Sequence, residues 1–247
     1  GEEAGGGAGA RVLDLGCGYG ELVLQACRDY HVAHAVGVTN SVEMAQEFKR
    51  RVEAEHAGEA SVQMAASLEQ ADFLELPPSL VGHGGDESSK YDLITSVESL
   101  EAIYHCQYRR LAAQCRRAVR EDGRIVFQVI HAYGSRNPTI RRKTFQPGCT
   151  FVQVYIFPGQ QLPYLEYVLD EFRAEGLVCT HVEQSGLHYA KTLRTWREKL
   201  WYEDTFGRGG RSWTDEEYRK FAFYLAWCEA GFREGVLDVA RCVFVKA

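Results

Sequence analysis

The run Val12-Leu13-Asp14-Leu15-Gly16-Cys17-Gly18-Tyr19-Gly20 limits the folds open to this chain more than any other stretch. An apolar strand leads into a loop with glycine at every second position, and a helix-like segment, Glu21 to Arg28, follows. Glycine lets the backbone turn tightly and lets a ligand come close to the main chain. The helix behind the loop turns its free N–H groups and positive dipole end toward the same spot. Strand, glycine loop and helix in this order place a small molecule at the carboxyl edge of a parallel sheet.

The spacing bears on which molecule. A pyrophosphate-binding turn reads G-x-G-x-x-G, whereas here the pattern is D-x-G-x-G-x-G with Asp14 on the strand itself. A carboxylate in that place repels phosphate and suits an ammonium group. A cationic ligand free of phosphate is favoured, and S-adenosylmethionine (SAM) meets that description. A generic Rossmann-like turn is the alternative.

The first half of the chain repeats the alternation of strand and helix. Strands are expected at residues 11–15, 33–38, 61–65, 91–97 and 124–130, with helices at 20–30, 41–52 and 107–120. In the second of these helices Met44, Ala45, Phe48 and Val52 recur at helical spacing, and Ser41 is placed to cap it. The segment 77–89, rich in proline, glycine and charge, reads as a surface loop. This rhythm predicts βαβ units, a parallel α/β sheet of Rossmann-like type with helices on both faces, and functional ends along one edge.

Beyond residue 131 the alternation breaks. Residues 132–163 are loop-rich and carry Arg136, Arg141, Arg142 and Lys143, a cluster suited either to lipid phosphate or to a solvated loop. Helices are expected at 165–175, 192–202 and 216–234, and strands at 178–184 and 240–246. We take residues 1–10 as a flexible linker or truncation point and 11–247 as one domain. Residues 132–235 would contain an insertion between strands five and six that covers the substrate.

With 247 residues, 45% of them hydrophobic, the chain can bury a substantial core. A net charge of −6 argues against a nucleic-acid binder, whose phosphate contacts need a basic field. No apolar run approaches the roughly 20 residues of a membrane span, and no signal peptide is visible. The eight cysteines include no C-x-x-C pair, so neither a metal site nor a disulfide framework is expected. A reducing, cytoplasmic setting follows as the expectation.

Three stretches of the second half carry a family likeness. Residues 155–163, YIFPGQQLP, resemble the YIFPGG-x-LP signature of the cyclopropane-fatty-acyl-phospholipid synthase family. Residues 186–196, GLHYAKTLRTW, resemble its G-x-HYA-x-TL-x-x-W segment, and 224–235, YLAWCEAGFREG, its YL-x-x-CEAGF-x-x-G helix. With the glycine loop and Val36-Gly37-Val38-Thr39, the likeness covers nearly the whole chain. It implies a class I SAM-dependent methyltransferase that adds the SAM methyl group to a double bond of an unsaturated fatty acyl phospholipid and closes a cyclopropane ring. Contact with the bilayer surface would then be peripheral.

The resemblance also implies roles. A bound bicarbonate would serve as base, held by Glu101, His131 and Tyr189; the last two can donate hydrogen bonds to the anion and Glu101 can accept from its hydroxyl. Gly16 and Gly18 would lie against the methionine part of SAM, with Asp14 on the strand before them. Thr39 and Asn40 would lie near the ribose, Asp72 and Phe73 would flank the adenine, and Val97 would close its other side. His188 is left structural and Cys17 without chemistry. The stripe Phe221, Tyr224, Leu225, Cys228, Phe232 suits core packing, or the lining of an acyl tunnel.

The chain also departs from the pattern. Ala102 stands where the family has a histidine after its glutamate, and Met44 where a ribose-binding glutamine is expected. Nothing before residue 11 matches the family's cysteine- and aromatic-bearing front segment. Two other functions fit these departures: amine N-methylation on the same scaffold, and a non-catalytic SAM-binding domain of a larger protein.

Overall fold

A computed structural model describes residues 9–56, 65–81, 87–132, 151–206 and 214–247. Among these residues seven strands form one sheet: β1 Arg11–Leu15, β2 His34–Thr39, β3 Ala66–Gln70, β4 Tyr91–Val97, β5 Val119–Ala132, β6 Leu177–Gln184 and β7 Leu237–Lys246. Their order is β3-β2-β1-β4-β5-β7-β6. The first five run parallel, β7 is antiparallel to β5, and β6 is antiparallel to β7. The strand order reverses between β1 and β4, and such a switch point opens a crevice at the carboxyl ends of the strands.

Strand side chains alternate between faces, so β1 feeds two cores. Val12 packs with Val23, Leu24 and Cys27 of α1 (Glu21–Tyr30) and Phe48 of α2 (Val42–His56). Leu13 and Leu15 face the other side. After the single turn α3 (Pro78–Val81), α4 (Tyr108–Ala118) covers that face with Leu111 and Cys115. Among the described residues, the short α5 (Phe151–Tyr155) comes next and is followed by α6 (Leu165–Ala174). Phe172 of α6 meets Phe127 and Phe244 of the sheet with ring centroids 5.4 and 4.7 Å apart. Each such fully buried ring is worth roughly 1.5–3 kcal/mol.

A third cluster lies under the antiparallel pair α7 (Gly186–Phe206) and α8 (Asp215–Arg233), where Leu193, Leu225 and Phe232 pack on Ala132 and Val239. A buried carboxylate ties the two helices. Glu229 accepts from Arg194 at 2.8 Å and Arg197 at 2.9 Å, and Arg233 lies 3.5 Å away. α8 starts on a reciprocal cap, Thr214 Oγ1 accepting from Glu217 N–H while Glu217 accepts from Thr214 N–H.

Four expectations shift. The third strand among the described residues is Ala66–Gln70; of the 61–65 expected for it, residues 61–64 lie outside the described residues. Residues 121–123, between the helix expected at 107–120 and the strand expected at 124–130, form an irregularity within β5: Tyr91 pairs with Val119 but Leu93 with Arg124, so β5 bulges past β4. The loop expected at 77–89 contains α3, whose Leu80 and Val81 are buried. The insertion expected between strands five and six is divided by β6, with α5 and α6 before it and the α7–α8 pair between β6 and β7. Arg136, Arg141, Arg142 and Lys143 lie outside the described residues, as do residues 1–8.

Candidate active site

The loop after β1 is fixed by its neighbours. Gly16 and Cys17 both donate their N–H to the carbonyl of Val38 at 2.9 Å, tying the loop to the end of β2. Ser96 Oγ donates to the carbonyl of Leu15 at 2.9 Å, and Ser99 Oγ lies 3.3 Å from it, tying β1 to the turn after β4. Gly16 has φ 73°, and a Cβ there would lie 2.2 Å from Ser99 Oγ. Gly18 also has a left-handed φ, 55°, but a Cβ there would meet nothing within 4 Å. Gly16 is thus needed for packing and conformation together, while Gly18 is the glycine that faces open space.

The other residues assigned to SAM gather along the same edge. The Phe73 ring comes within 3.8 Å of where a Gly16 Cβ would stand. Asp72 spends one carboxylate oxygen on its own turn, accepting from Leu74 N–H at 2.8 Å. Val97 ends β4 with 45% of its surface exposed. Thr39 is buried and its hydroxyl accepts from Ser41 N–H at 3.3 Å, whereas Asn40 is exposed. Asp14 lies within the sheet beside its register partner Thr95, whose hydroxyl donates to it at 2.7 Å. Burial pushes the Asp14 carboxyl up to about 6 against the pull of that hydrogen bond. These residues fit SAM through the open face at Gly18, the apolar faces of Phe73 and Val97, and an acid next to the loop.

Two carboxylates sit just after β4, and only one was expected. Glu101 is 4% exposed; its Oε1 accepts from Ile130 N–H at 2.6 Å, and its Oε2 is buried with no hydrogen-bond partner among the described residues. Burial, and to a lesser extent the charge of Glu98, push its carboxyl up to about 7. Glu98 stands directly at the strand end with φ 52°, one of two non-glycine residues in that region among those described. Its Oε1 accepts from Gln128 Nε2 at 2.9 Å and its Oε2 from the Tyr189 hydroxyl at 2.8 Å. Burial and the Glu98 charge both push the Tyr189 hydroxyl well above its ordinary range.

Of the three residues assigned to catalysis, Tyr189 and Glu101 share one electrostatic environment, with Glu98 bonded directly to Tyr189. His131 is 2% exposed, and one of its partners is Gln184 of β6, whose Nε2 lies 3.3 Å from its Nε2. The amide therefore donates to a ring nitrogen that carries no proton, consistent with burial lowering the affinity of His131 for a proton. Glu98 was not legible as a site residue, because nothing in a sequence marks a glutamate for a left-handed turn. Gln128 did leave a signal: a lone amide in the apolar strand RIVFQVI has to find a partner when buried.

Bicarbonate fits these groups poorly as they stand. The Tyr189 hydroxyl is given to Glu98, and the Glu98 carboxylate already places a negative charge where a second anion would have to lie. The YIFPGQQLP segment closes around this corner, Gln161 N–H donating to the carbonyl of Glu101 at 2.9 Å. Tyr189 packs on Phe232, Phe157 on Tyr224, and Tyr224 on Phe221, with centroids 4.9, 5.6 and 5.5 Å apart. Within the stripe on α8, Leu225, Cys228 and Phe232 are buried in the core, while Phe221 and Tyr224 are only partly buried, Tyr224 within the field of Glu98.

A family model described as mycolic acid cyclopropane synthetase matches residues 4–242. The chain is 31% identical over 96% of its length to the tuberculostearic acid methyltransferase UfaA1 of Mycobacterium tuberculosis, covering 50% of that protein. It is 30% identical over 97% of its length to a probable fatty acid methyltransferase of Pseudomonas putida, covering 55% of it. The chain thus spans about half the length of these curated relatives. Among solved structures, the cyclopropane synthase MmaA2 of Mycobacterium tuberculosis superposes with a TM-score of 0.79 at 24% identity, over 98% of this chain and 81% of that one. The chain belongs to the mycolic acid cyclopropane synthetase family, a family of SAM-dependent methyltransferases.

Proposed function

We propose that this protein transfers the methyl group of SAM to a carbon–carbon double bond of an unsaturated fatty acyl phospholipid and closes a cyclopropane ring there. One observation carries the reading beyond family membership: an acid pair, the buried Glu101 and the half-buried Glu98, adjoins Tyr189 where the glycine-loop edge of the sheet meets the aromatic residues of α7 and α8. An alkene is a weak nucleophile without a proton to remove beforehand, so it needs a dry, apolar seat and a base for the proton released later.

When bound, SAM supplies an electrophilic methyl group, whose addition to the alkene leaves positive charge and a surplus proton. The loop at Gly16 and Gly18 receives the methionine part, Phe73 and Val97 flank the adenine beside Asp72, and Thr39 and Asn40 lie near the ribose. Tyr224, Phe157 and Tyr189 line the acyl path, and their ring faces favour a passing cation. Glu101, held by Ile130 N–H, keeps its proton to about pH 7 and so adds no fixed negative charge at lower pH. Bicarbonate, the base implied by the family resemblance, would have to displace Glu98 from Tyr189, and no step is routed through it.

We take 11–247 as one catalytic domain, with α5, α7 and α8 as the acyl cover. No helix among the described residues is long and apolar enough to cross a membrane, and delivery of the lipid from a bilayer surface in the cytoplasm is part of the proposal. Mass spectrometry of lipids from cells expressing the protein tests it. Unsaturated phospholipids heavier by one CH2 and resistant to hydrogenation support cyclopropanation. A gain of CH4 means methylation with reduction, and unchanged lipids overturn the reading.

A further inference from the structure

We infer that Glu98 is the catalytic base of this enzyme, a carboxylate built into the chain at the place where a free oxyanion would otherwise be needed. The inference rests on the alkene methylation proposed above and assigns its proton acceptor.

The residue is held for such a task. A glutamate gains nothing from a left-handed backbone, which is strained for any residue with a Cβ, yet Glu98 adopts φ 52° at the tip of β4. Its backbone N–H donates to the carbonyl of Gln128 at 2.8 Å, fixing the turn against β5. From there the side chain reaches two neutral donors, Gln128 Nε2 at 2.9 Å and the Tyr189 hydroxyl at 2.8 Å, one for each oxygen. Every carboxylate oxygen has a second lone pair, so both oxygens remain able to take a proton. The fixed position brings the base to the sheet edge that Gly16, Phe73 and Val97 share, next to the partly buried ring of Tyr224.

Glu101 stands beside it without competing for the role: burial keeps its proton on up to about pH 7, and its Oε1 is held by Ile130 N–H. Both oxygens of Glu98, by contrast, are oriented by the side chains of Gln128 and Tyr189. Tyr189 is then a positioning residue: its hydroxyl is occupied in orienting Glu98 and is no nucleophile.

The step balances. As the SAM methyl carbon bonds to one alkene carbon, the carbon–sulfur pair leaves with the sulfur as S-adenosylhomocysteine. Glu98 takes one proton from the added methyl group. The freed C–H pair forms the second carbon–carbon bond and closes the ring, and the proton passes from Glu98 to solvent before the next turnover. The sum is SAM cation plus alkene giving cyclopropane, S-adenosylhomocysteine and one proton.

The test is isotope-labelled methyl transfer from SAM into vesicles of monounsaturated phosphatidylethanolamine and phosphatidylglycerol, in buffer stripped of carbonate and then resupplied. Three proteins are compared: wild type, Glu98→Gln and Glu98→Gly. The glycine variant suits the backbone angle and guards against loss through misfolding. Wild type should turn over equally with and without bicarbonate. Glu98→Gln should lose about 10²–10⁴-fold in turnover, the range of a general base, while its affinity for SAM by calorimetry changes less than about twofold. Glu98→Gly should regain about tenfold or more on addition of bicarbonate or formate, small oxyanions that fill the vacated place. Glu98→Gln turnover close to that of wild type, or wild-type turnover that requires bicarbonate, overturns the assignment and leaves alkene methylation standing. A wild-type protein that binds SAM and labels no unsaturated lipid overturns both.

Discussion

The ends of β1 and β4 are neighbours in the sheet, and both strands turn away through a residue of left-handed backbone. After β1 that region begins with Gly16 at φ 73°; after β4 it is Glu98 at φ 52°. At Gly16 a side chain has no room, since Ser99 fills the space. At Glu98 there is room, and the side chain that fills it bonds to groups from β5 and α7. The contrast separates two uses of one conformation. At the first strand it lets backbone come close to backbone and ligand, and glycine bears it without strain. At the second it aims a charged group, and the strain is tolerated because Gln128 and Tyr189 hold the carboxylate.

The largest expected effect tests the first half of the contrast. Gly16→Ala brings a Cβ to within 2.2 Å of Ser99 Oγ and 2.8 Å of Ser99 Cβ at a left-handed φ. Backbone strain and overpacking together should cost about 3–4 kcal/mol, read as a lower urea midpoint. Adding Ser99→Gly should return the overpacking share, about half, and leave the strain. A double variant no more stable than Gly16→Ala alone would locate the clash elsewhere, and the two turns would not be coupled as described.

The sequence displayed the first turn and concealed the second. Glycine at positions 16, 18 and 20 announces its conformation because few other residues tolerate it. Period-two and period-3.6 patterns likewise reveal β1, β4, α2 and α4 to within a residue or a turn, since burial on both faces of a sheet leaves a continuous apolar run. Where local signals conflict, the tertiary fold decides. Glu121-Asp122-Gly123 has turn chemistry, yet it lies within β5 as a bulge because β4 pairs with Val119 before it and Arg124 after it. Glu98 has no local mark at all: its place depends on Gln128, thirty residues later, and on Tyr189, ninety-one residues later. Glu101 was recognised through the family resemblance, but its Oε2, unpartnered among the described residues, and its hold on Ile130 N–H belong to packing and not to spacing.

The second prediction uses acidity, to which the glycine turn is silent. Unfolded, Glu101 ionises near 4.5, but in the folded protein its proton holds to about 7. Below 4.5 both states are protonated and the group is neutral in the balance. Between 4.5 and 7 the unfolded chain ionises while the folded protein does not, so stability falls as pH rises, and above 7 the loss is complete. The size is roughly 3 kcal/mol at about 1.4 kcal/mol for each tenfold change in proton concentration. Asp14 slopes in the same direction but levels off near its own value of about 6. Glu101→Gln should therefore flatten the fall of melting temperature between pH 6 and 7 and reduce the fall between pH 4.5 and 6 to the share of Asp14. Parallel curves for the two proteins would mean that Glu101 is ionised in the fold.

The smallest expected effect falls on Glu98 itself, because two contributions of opposite sign meet there. Removing the side chain loses its hydrogen bonds with Gln128 and Tyr189, each worth about 1 kcal/mol net, and leaves the Tyr189 hydroxyl to find another acceptor. Glycine at this position also releases the left-handed strain, about 1–2 kcal/mol. Glu98→Gly should thus melt within about 1 kcal/mol of wild type. Glu98→Ala, which loses the same bonds but keeps a Cβ at φ 52°, should be less stable than Glu98→Gly by about the strain alone. Equal stability of the glycine and alanine variants would show that the turn after β4 carries no strain. In that case the likeness between the two strand ends would be one of backbone angle only, and Glu98 would be held by its partners without opposing cost.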